Sequence, residues 1–310
     1  MRVSVVVPTL GRTDTLGEVL EGLCRQQARP DEVVVIDQNG DRNLAPLYDR
    51  MRSLPLRVQY SPGPLGCGAA RNQGLESCTG DIVLFLDDDV TFGDDLIAEH
   101  RCAFERYGAD GVAGAVWKEG GPPAAAPGWN PDVDPVWQLF LRPHVSYPMM
   151  ALGLSTGNLS VKRALLHRLG GFDERFEHGR GGEHDLAIRA WRAGAFLVYH
   201  PPAAVVHQDP LLGGRRQHRA VAAGSGYMTR LLAPQPEPQT LYLYLKHFPG
   251  SGFRGRVFFE LFRILRARSA RDLARVPLGL LRLYASVRAA RRMLTHGAGH
   301  HHNGRRGDHE

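Results

Sequence analysis

Asp81-Ile82-Val83-Leu84-Phe85-Leu86-Asp87-Asp88-Asp89-Val90 is an apolar run that stops abruptly at three carboxylates. An unbroken apolar run of this length suits a strand buried on both faces, as in a parallel sheet. Three adjacent aspartates repel one another unless a cation neutralises them. A hard divalent ion with oxygen ligands is the natural partner, and Mg²⁺ is usually shared with substrate phosphates. A solvated turn or a helix cap would also accommodate such a cluster, so its neighbours decide.

Working outward, Val3–Val7 is a β-branched run closed by Pro8, and Val33–Ile36 is another that ends at Asp37-Gln38-Asn39-Gly40-Asp41. Leu56–Tyr60 is a weaker third strand. Between them, 14–27 carries Leu16, Val19, Leu20 and Leu23 at helical spacing, with Asp14 placed to cap it. A Gly- and Pro-rich loop, 61–68, precedes a second helix over 69–77. Strands alternating with helices predict an α/β fold: a mostly parallel central sheet with helices on both faces. Ligands of such sheets bind beyond the carboxyl ends of the strands, where Pro8, Thr9, Asp37 and the aspartate triplet all fall. An aspartate at position 37 either accepts an N–H from a base or a ribose hydroxyl, or forms the turn in its own loop. Arg71 at a helix start makes an anion site.

The second half is less regular. Residues 108–150 read as a long irregular insertion holding Trp117, Trp129 and Trp137. Structure returns near Gly157-Asn158-Leu159-Ser160-Val161, followed by helices over 162–169 and 183–193 and a strand over 195–199. Two basic helical stretches, 257–268 and 276–293, precede a polar His-rich tail, 296–310, expected to be disordered.

Composition bounds the possibilities. With 310 residues, one large or two modest domains are expected, and 43% hydrophobic with 23% charged residues supports a packed core. No apolar run reaches the ~18 residues needed to span a bilayer. The N-terminus lacks the apolar stretch of a secretory signal, and the four cysteines form no C-x-x-C pair, so a reduced, cytoplasmic chain is expected. The net charge of +6 is concentrated: residues 254–292 hold eleven arginines against Glu260 and Asp272. Such helices can lie on the inner face of a membrane or pack against protein. Arginines also suit nucleic acid, but no nucleic-acid-binding motif accompanies them, and none is expected as partner.

Taken together, Val5-Val6-Val7-Pro8-Thr9 with Arg12, Val35-Ile36-Asp37, Gly66-x-Gly68-Ala-Ala-Arg71-Asn72-x-Gly74 and Gly80-Asp81-x-x-Leu-Phe-Leu-Asp87-Asp88-Asp89 resemble a family 2 glycosyltransferase of the GT-A (Rossmann-like) fold. Gly157-Asn158, Gly170-Gly171-Phe172-Asp173-Glu174 and Asp185-Leu-x-x-Arg189 extend the likeness over 1–210. The resemblance implies a catalytic domain over 1–210, with a nucleotide-sugar part (1–117) and an acceptor part (150–210), then a helical extension (211–295). It implies donor contacts from Pro8, Thr9, Arg12, Asp37, Gly66, Arg71, Asp87 (to the ribose) and Asp88. Asp89 and His207 would hold Mg²⁺ or Mn²⁺, and Gly157, Asn158 and Trp191 would face the acceptor. Where the family commonly reads Gly-Glu-Asp-x-Asp-Leu, this chain has Gly181-Gly182-Glu183-His184-Asp185-Leu186, making Glu183 the general base and Asp185 the alternative.

The reaction so implied is an inverting transfer from a nucleoside diphosphate sugar to an acceptor hydroxyl, and a lipid-linked acceptor is compatible with it. Asp37 suits the N3–H of uracil or thymine, so UDP- or dTDP-sugars lead, with GDP-sugars also compatible. A Gln-x-x-Arg-Trp motif of processive synthases is missing. A sugar nucleotidyltransferase would carry a Gly-rich basic signature after the first strand, which Pro8–Arg12 does not supply. A catalytically silent GT-A-like binding protein is the remaining alternative.

Overall fold

The computed structural model describes residues 1–40, 44–118, 148–151, 154–176, 181–208, 236–266 and 270–295. It divides into two compact units, Met1–Glu177 with Gly182–Ala220, and His178–Gly181 with Val221–Glu310.

The first unit runs β1 (Val3–Thr9), α1 (Thr13–Arg25), β2 (Glu32–Asp37), α2 (Ala45–Arg50), β3 (Leu56–Tyr60), α3 (Cys67–Ser77) and β4 (Ile82–Leu86). It continues through β5 (Val90–Phe92), α4 (Leu96–Tyr107), β6 (Gly111–Lys118), β7 (Met149–Met150), β8 (Asn158–Lys162) and α5 (Arg163–Leu169). A 3₁₀ turn (Glu174–Phe176), α6 (Gly182–Arg192) and β9 (Leu197–His207) complete it. These strands form one sheet in the order β3-β2-β1-β4-β8-β6-β9-β5, with β7 alongside β9. The first four are mutually parallel; β8 then enters antiparallel to both β4 and β6.

Alternation along the strands sorts side chains to the two faces. Val5, Val7, Val33 and Val35 pack with Leu16, Val19, Leu20 and Leu23 of α1. Val6, Val34 and Ile36 pack on the other side with Ala70 and Leu75 of α3. Each fully buried leucine contributes roughly 1.5–3 kcal/mol. Gly74 lets α3 lie close to β1, since a Cβ there would overlap Val6.

The structure corrects several expectations. Arg12, not Asp14, is the N-cap residue of α1 and makes no side-chain cap bond; Asp14 sits in the first turn, where a carboxylate favours the helix dipole. The stretch read as irregular from residue 108 begins with an eight-residue strand, β6. Its glycines disguised it, and they are there for space. A Cβ on Gly111 would meet Leu197 at 2.8 Å, and one on Gly114 would overlap Ala203 and Asn158. Trp129, Trp137 and the rest of 119–147 lie outside the described residues, as do 209–235 and the 296–310 tail. The last strand is longer than predicted, reaching His207 through Pro201 and Pro202 beside a register shift opposite Gly114 and Ala115.

The second unit contains α7 (Pro238–His247), α8 (Ser251–Leu265) and α9 (Ala270–Thr295), with Leu241, Tyr242, Phe253, Leu283 and Ala290 buried. Gly279 of α9 brings that helix against Ile264 of α8. Both basic helices start earlier than the sequence suggested. Gly252 and Gly255 weaken the apparent helix signal before Val257, and α9 runs through Pro277 rather than beginning beside it.

Candidate active site

The aspartate triplet occupies the turn between β4 and β5, at the carboxyl edge of the parallel strands. Its surroundings follow from register. Thr9 pairs with Asp37, and Asp37 with Tyr60, so the ends of β1, β2 and β3 are level. β5 follows Asp89 directly and pairs antiparallel with the end of β9, placing Val90 opposite His207. The Gln208 backbone N–H donates to the Asp89 carbonyl at 2.9 Å. Two segments 118 residues apart in the chain thereby deliver His207 Nε2 to 3.4 Å from Asp89 Oδ1.

Two arginines answer the three carboxylates. Arg12 Nη1 lies 2.6 Å from Asp89 Oδ2 and 3.0 Å from Asp88 Oδ1. Burial opposes the Arg12 charge, but Asp88 and Asp89 outweigh it and raise its pKa. Burial pushes Asp88 up to about 6 against the pull of Arg12. Arg71 Nη2 donates to Asp87 Oδ1 at 2.6 Å while its Nη1 donates to the Cys67 carbonyl at 3.1 Å. Gly157 is required behind Asp87, because a Cβ there would stand 2.7 Å from Asp87 Oδ2.

Asp87, Asp89 and His207 each offer a ligand atom, all within 4.8 Å of one another. Two carboxylate oxygens and an imidazole nitrogen form a donor set that suits a divalent ion. The residues therefore fit the metal expected here. Asp87, expected only at a ribose, joins the cluster; its i, i+2 spacing from Asp89 was the signal in the sequence.

The nucleoside side is more occupied than expected. Asp37 is buried, its Oδ2 accepting the Tyr48 hydroxyl (2.8 Å) and its Oδ1 accepting the Asn39 backbone and side-chain N–H groups (3.0 and 2.6 Å). Burial, then Asp37 itself, raises the Tyr48 phenol well above its ordinary range. Three of roughly four acceptor positions on the carboxylate are thus spent on its own loop. Asn39 Oδ1 in turn accepts the Gly11 N–H at 2.5 Å, and Gln38 Oε1 accepts the Leu65 N–H at 2.8 Å just before Gly66, the N-cap of α3. These loops draw together half-buried Pro8, buried Thr9 and the start of α3 around one rim.

On the acceptor side two expectations are corrected. Asn158 is fully buried, accepting from His100 Nε2 (2.9 Å) and donating to the Ala115 and Ala203 carbonyls (3.0 and 2.8 Å). With its amide so committed, it staples β8 to the irregular stretch of β6 and β9 and does not face an acceptor. Asp185 is also fully buried, 2.7 Å from Arg189 Nε one turn along α6. Arg189 donates onward to the Leu169 and Gly171 carbonyls, both at 2.8 Å. Asn72, next to Arg71, donates to the Phe172 carbonyl (2.9 Å) and accepts its N–H (2.8 Å). Asp185 thus belongs to a chain of bonds that ties α6 to α3. Half-buried Glu183 and exposed Trp191 remain available on that helix.

A parallel sheet edge bearing a triplet of aspartates, a facing histidine and an arginine near a helix start is an arrangement suited to a divalent cation and an anionic ligand. Comparison with known proteins agrees: residues 4–131 match the model of Glycosyl transferase family 2. Residues 4–131 therefore resemble a family 2 glycosyltransferase domain, and the sheet has the GT-A fold. The uncharacterized glycosyltransferase YwdF of Bacillus subtilis is 33% identical over 92 residues, covering 30% of this chain and 34% of that protein. The amylovoran biosynthesis glycosyltransferase AmsB of Erwinia amylovora is 25% identical over 234 residues, 70% of this chain and 73% of its own. The chain spans about a third of the length of the first curated relatives it matches. Among solved structures, Staphylococcus aureus TarS 1–349 in complex with UDP-GlcNAc aligns with a TM-score of 0.63 at 18% identity, covering 94% of this chain and 83% of that one. The mannosyltransferase PcManGT of Pyrobaculum calidifontis, in complex with GDP-Man and Mn²⁺, aligns at 0.56 and 20%, covering 96% and 79%.

Proposed function

We propose that this protein transfers a sugar from a nucleoside diphosphate donor to an acceptor hydroxyl, with inversion at the anomeric carbon. The observation that carries the reading is the meeting of Asp87, Asp89 and His207 at the strand ends, flanked by Arg71. A divalent ion held by these three residues would supply positive charge to the donor diphosphate. Arg71, already directed at Asp87, would add a fixed charge on the leaving-group side. Glu183, at the first turn of α6, would take the proton of the attacking hydroxyl. Asp185 and Arg189 would hold that helix in place. Exposed Trp191 offers an apolar face against which a sugar ring can rest.

Likeness to proteins crystallised with UDP-GlcNAc and GDP-Man supports a nucleotide-sugar donor without choosing its base. The match to a β-1,3-glucosyltransferase of Campylobacter jejuni acting on GalNAc(5)-diNAcBac-PP-undecaprenol makes a lipid-linked acceptor worth testing first; it is 33% identical over 95 residues. The test is a donor-consumption assay with UDP-, dTDP- and GDP-sugars and Mn²⁺. Turnover should vanish in EDTA and fall at least about a hundredfold in Asp89→Asn. Undiminished turnover in a folded Asp89→Asn protein would refute the assignment.

A further inference from the structure

We infer that α8 lies in the interface of an anionic lipid bilayer, making this a peripheral membrane protein. Phe258, Phe259 and Phe262 are 70%, 54% and 56% exposed, and Leu265 is 59% exposed. At positions i, i+1, i+4 and i+7 they form one stripe along the helix. The opposite face, with Phe253 and Glu260, is buried. Three neighbouring phenylalanines in water forfeit most of the free energy that burial of such rings returns.

The charges beside this stripe identify what covers it. Arg254, Arg263 and Arg266 are exposed around the aromatic face. The one carboxylate of the helix, Glu260, is buried and neutralised by Arg256 (2.6 Å) and Arg263 (2.9 Å). The solvent face is therefore apolar along its middle and basic at its margins. Rings can enter the acyl boundary while guanidinium groups meet lipid phosphates. In α9, Leu281 and Tyr284 are likewise exposed, followed by exposed Arg288, Arg291 and Arg292. A second copy docking symmetrically through α8 would bring like-charged margins together with no exposed carboxylate on that helix to offset them. Nucleic acid would use the arginines and leave the four apolar side chains wet. No described helix is long and apolar enough to cross a membrane, so the association is with its surface.

Flotation of the full chain with vesicles tests this. The protein should float with phosphatidylglycerol-containing vesicles and stay down with pure phosphatidylcholine. The triple variant F258S/F259S/F262S should reduce the bound fraction about tenfold or more, and Arg254→Gln with Arg266→Gln should also weaken it. Circular dichroism should show every variant folded. Four results would overturn the inference: no flotation of the wild type, flotation indifferent to the phenylalanines, equally strong binding to single-stranded RNA, or a wild-type dimer in sedimentation equilibrium that the triple variant dissolves.

Discussion

Glu183 and Asp185 sit two residues apart on one helix, yet they stand in different surroundings. Asp185 is fully buried on Arg189, and removing one partner of a buried pair leaves the other uncompensated. Asp185→Asn should therefore lower the stability of the first unit by roughly 3 kcal/mol, read as a shift in the urea midpoint. Glu183→Gln should leave that midpoint in place and donor affinity nearly unchanged while cutting turnover about 10²–10⁴-fold. The opposite pattern would exchange the two roles. The sequence supplied both carboxylates but could not rank them, because burial of Asp185 depends on Arg189 reaching the carbonyls of Leu169, at the end of α5, and Gly171 just beyond it. Asn158 was misread for the same reason. A short polar residue after a glycine looks like a surface contact until its three partners, all from other elements, are known.

At the scale of elements, close approach matters more than propensity. Alanine in place of Gly74 would gain up to about 1 kcal/mol in helix propensity. Its Cβ would overlap Val6, however, forcing α3 away from β1. Overpacking costs typically 1–3 kcal/mol, so Gly74→Ala should be net destabilising and should weaken nucleotide binding through displacement of Arg71. A stabilised variant in denaturant titration would contradict the packing described. β1, β2 and β4 were legible as apolar runs because a strand buried on both faces needs no polar alternation. β6 was not, since two glycines replace the β-branched residues that announce a strand. β5, three residues long, carried no signal of its own, and its pairing with β9 is what brings His207 to the aspartates.

For the whole molecule, pH is a probe of the packed centre of the sheet. His100 is fully buried between Asn158 and Ser160, and burial lowers its pKa to about 4. Between pH 6.5 and 4 the unfolded chain would hold a proton at this site that the folded chain lacks, so stability rises with pH across that window. Acidification from pH 7 to 4 should withdraw roughly 3 kcal/mol through this residue alone. Asp88 acts in the opposite sense, its contribution being lost as pH rises through about 6. Comparing urea midpoints of the wild type and His100→Asn across the window isolates the histidine. The wild type should lose more stability on acidification than the variant, and equal losses would show that His100 protonates freely in the fold.

The account rests on a cation-dependent diphosphate site at the ends of the parallel strands, and isothermal titration of the full chain with UDP, dTDP and GDP addresses it directly. At least one nucleotide should bind at least about tenfold more tightly with Mn²⁺ than in EDTA, and Asp89→Asn should erase the difference. Nucleotide affinity that is the same with and without the cation, or a cation effect that survives Asp89→Asn, would contradict it.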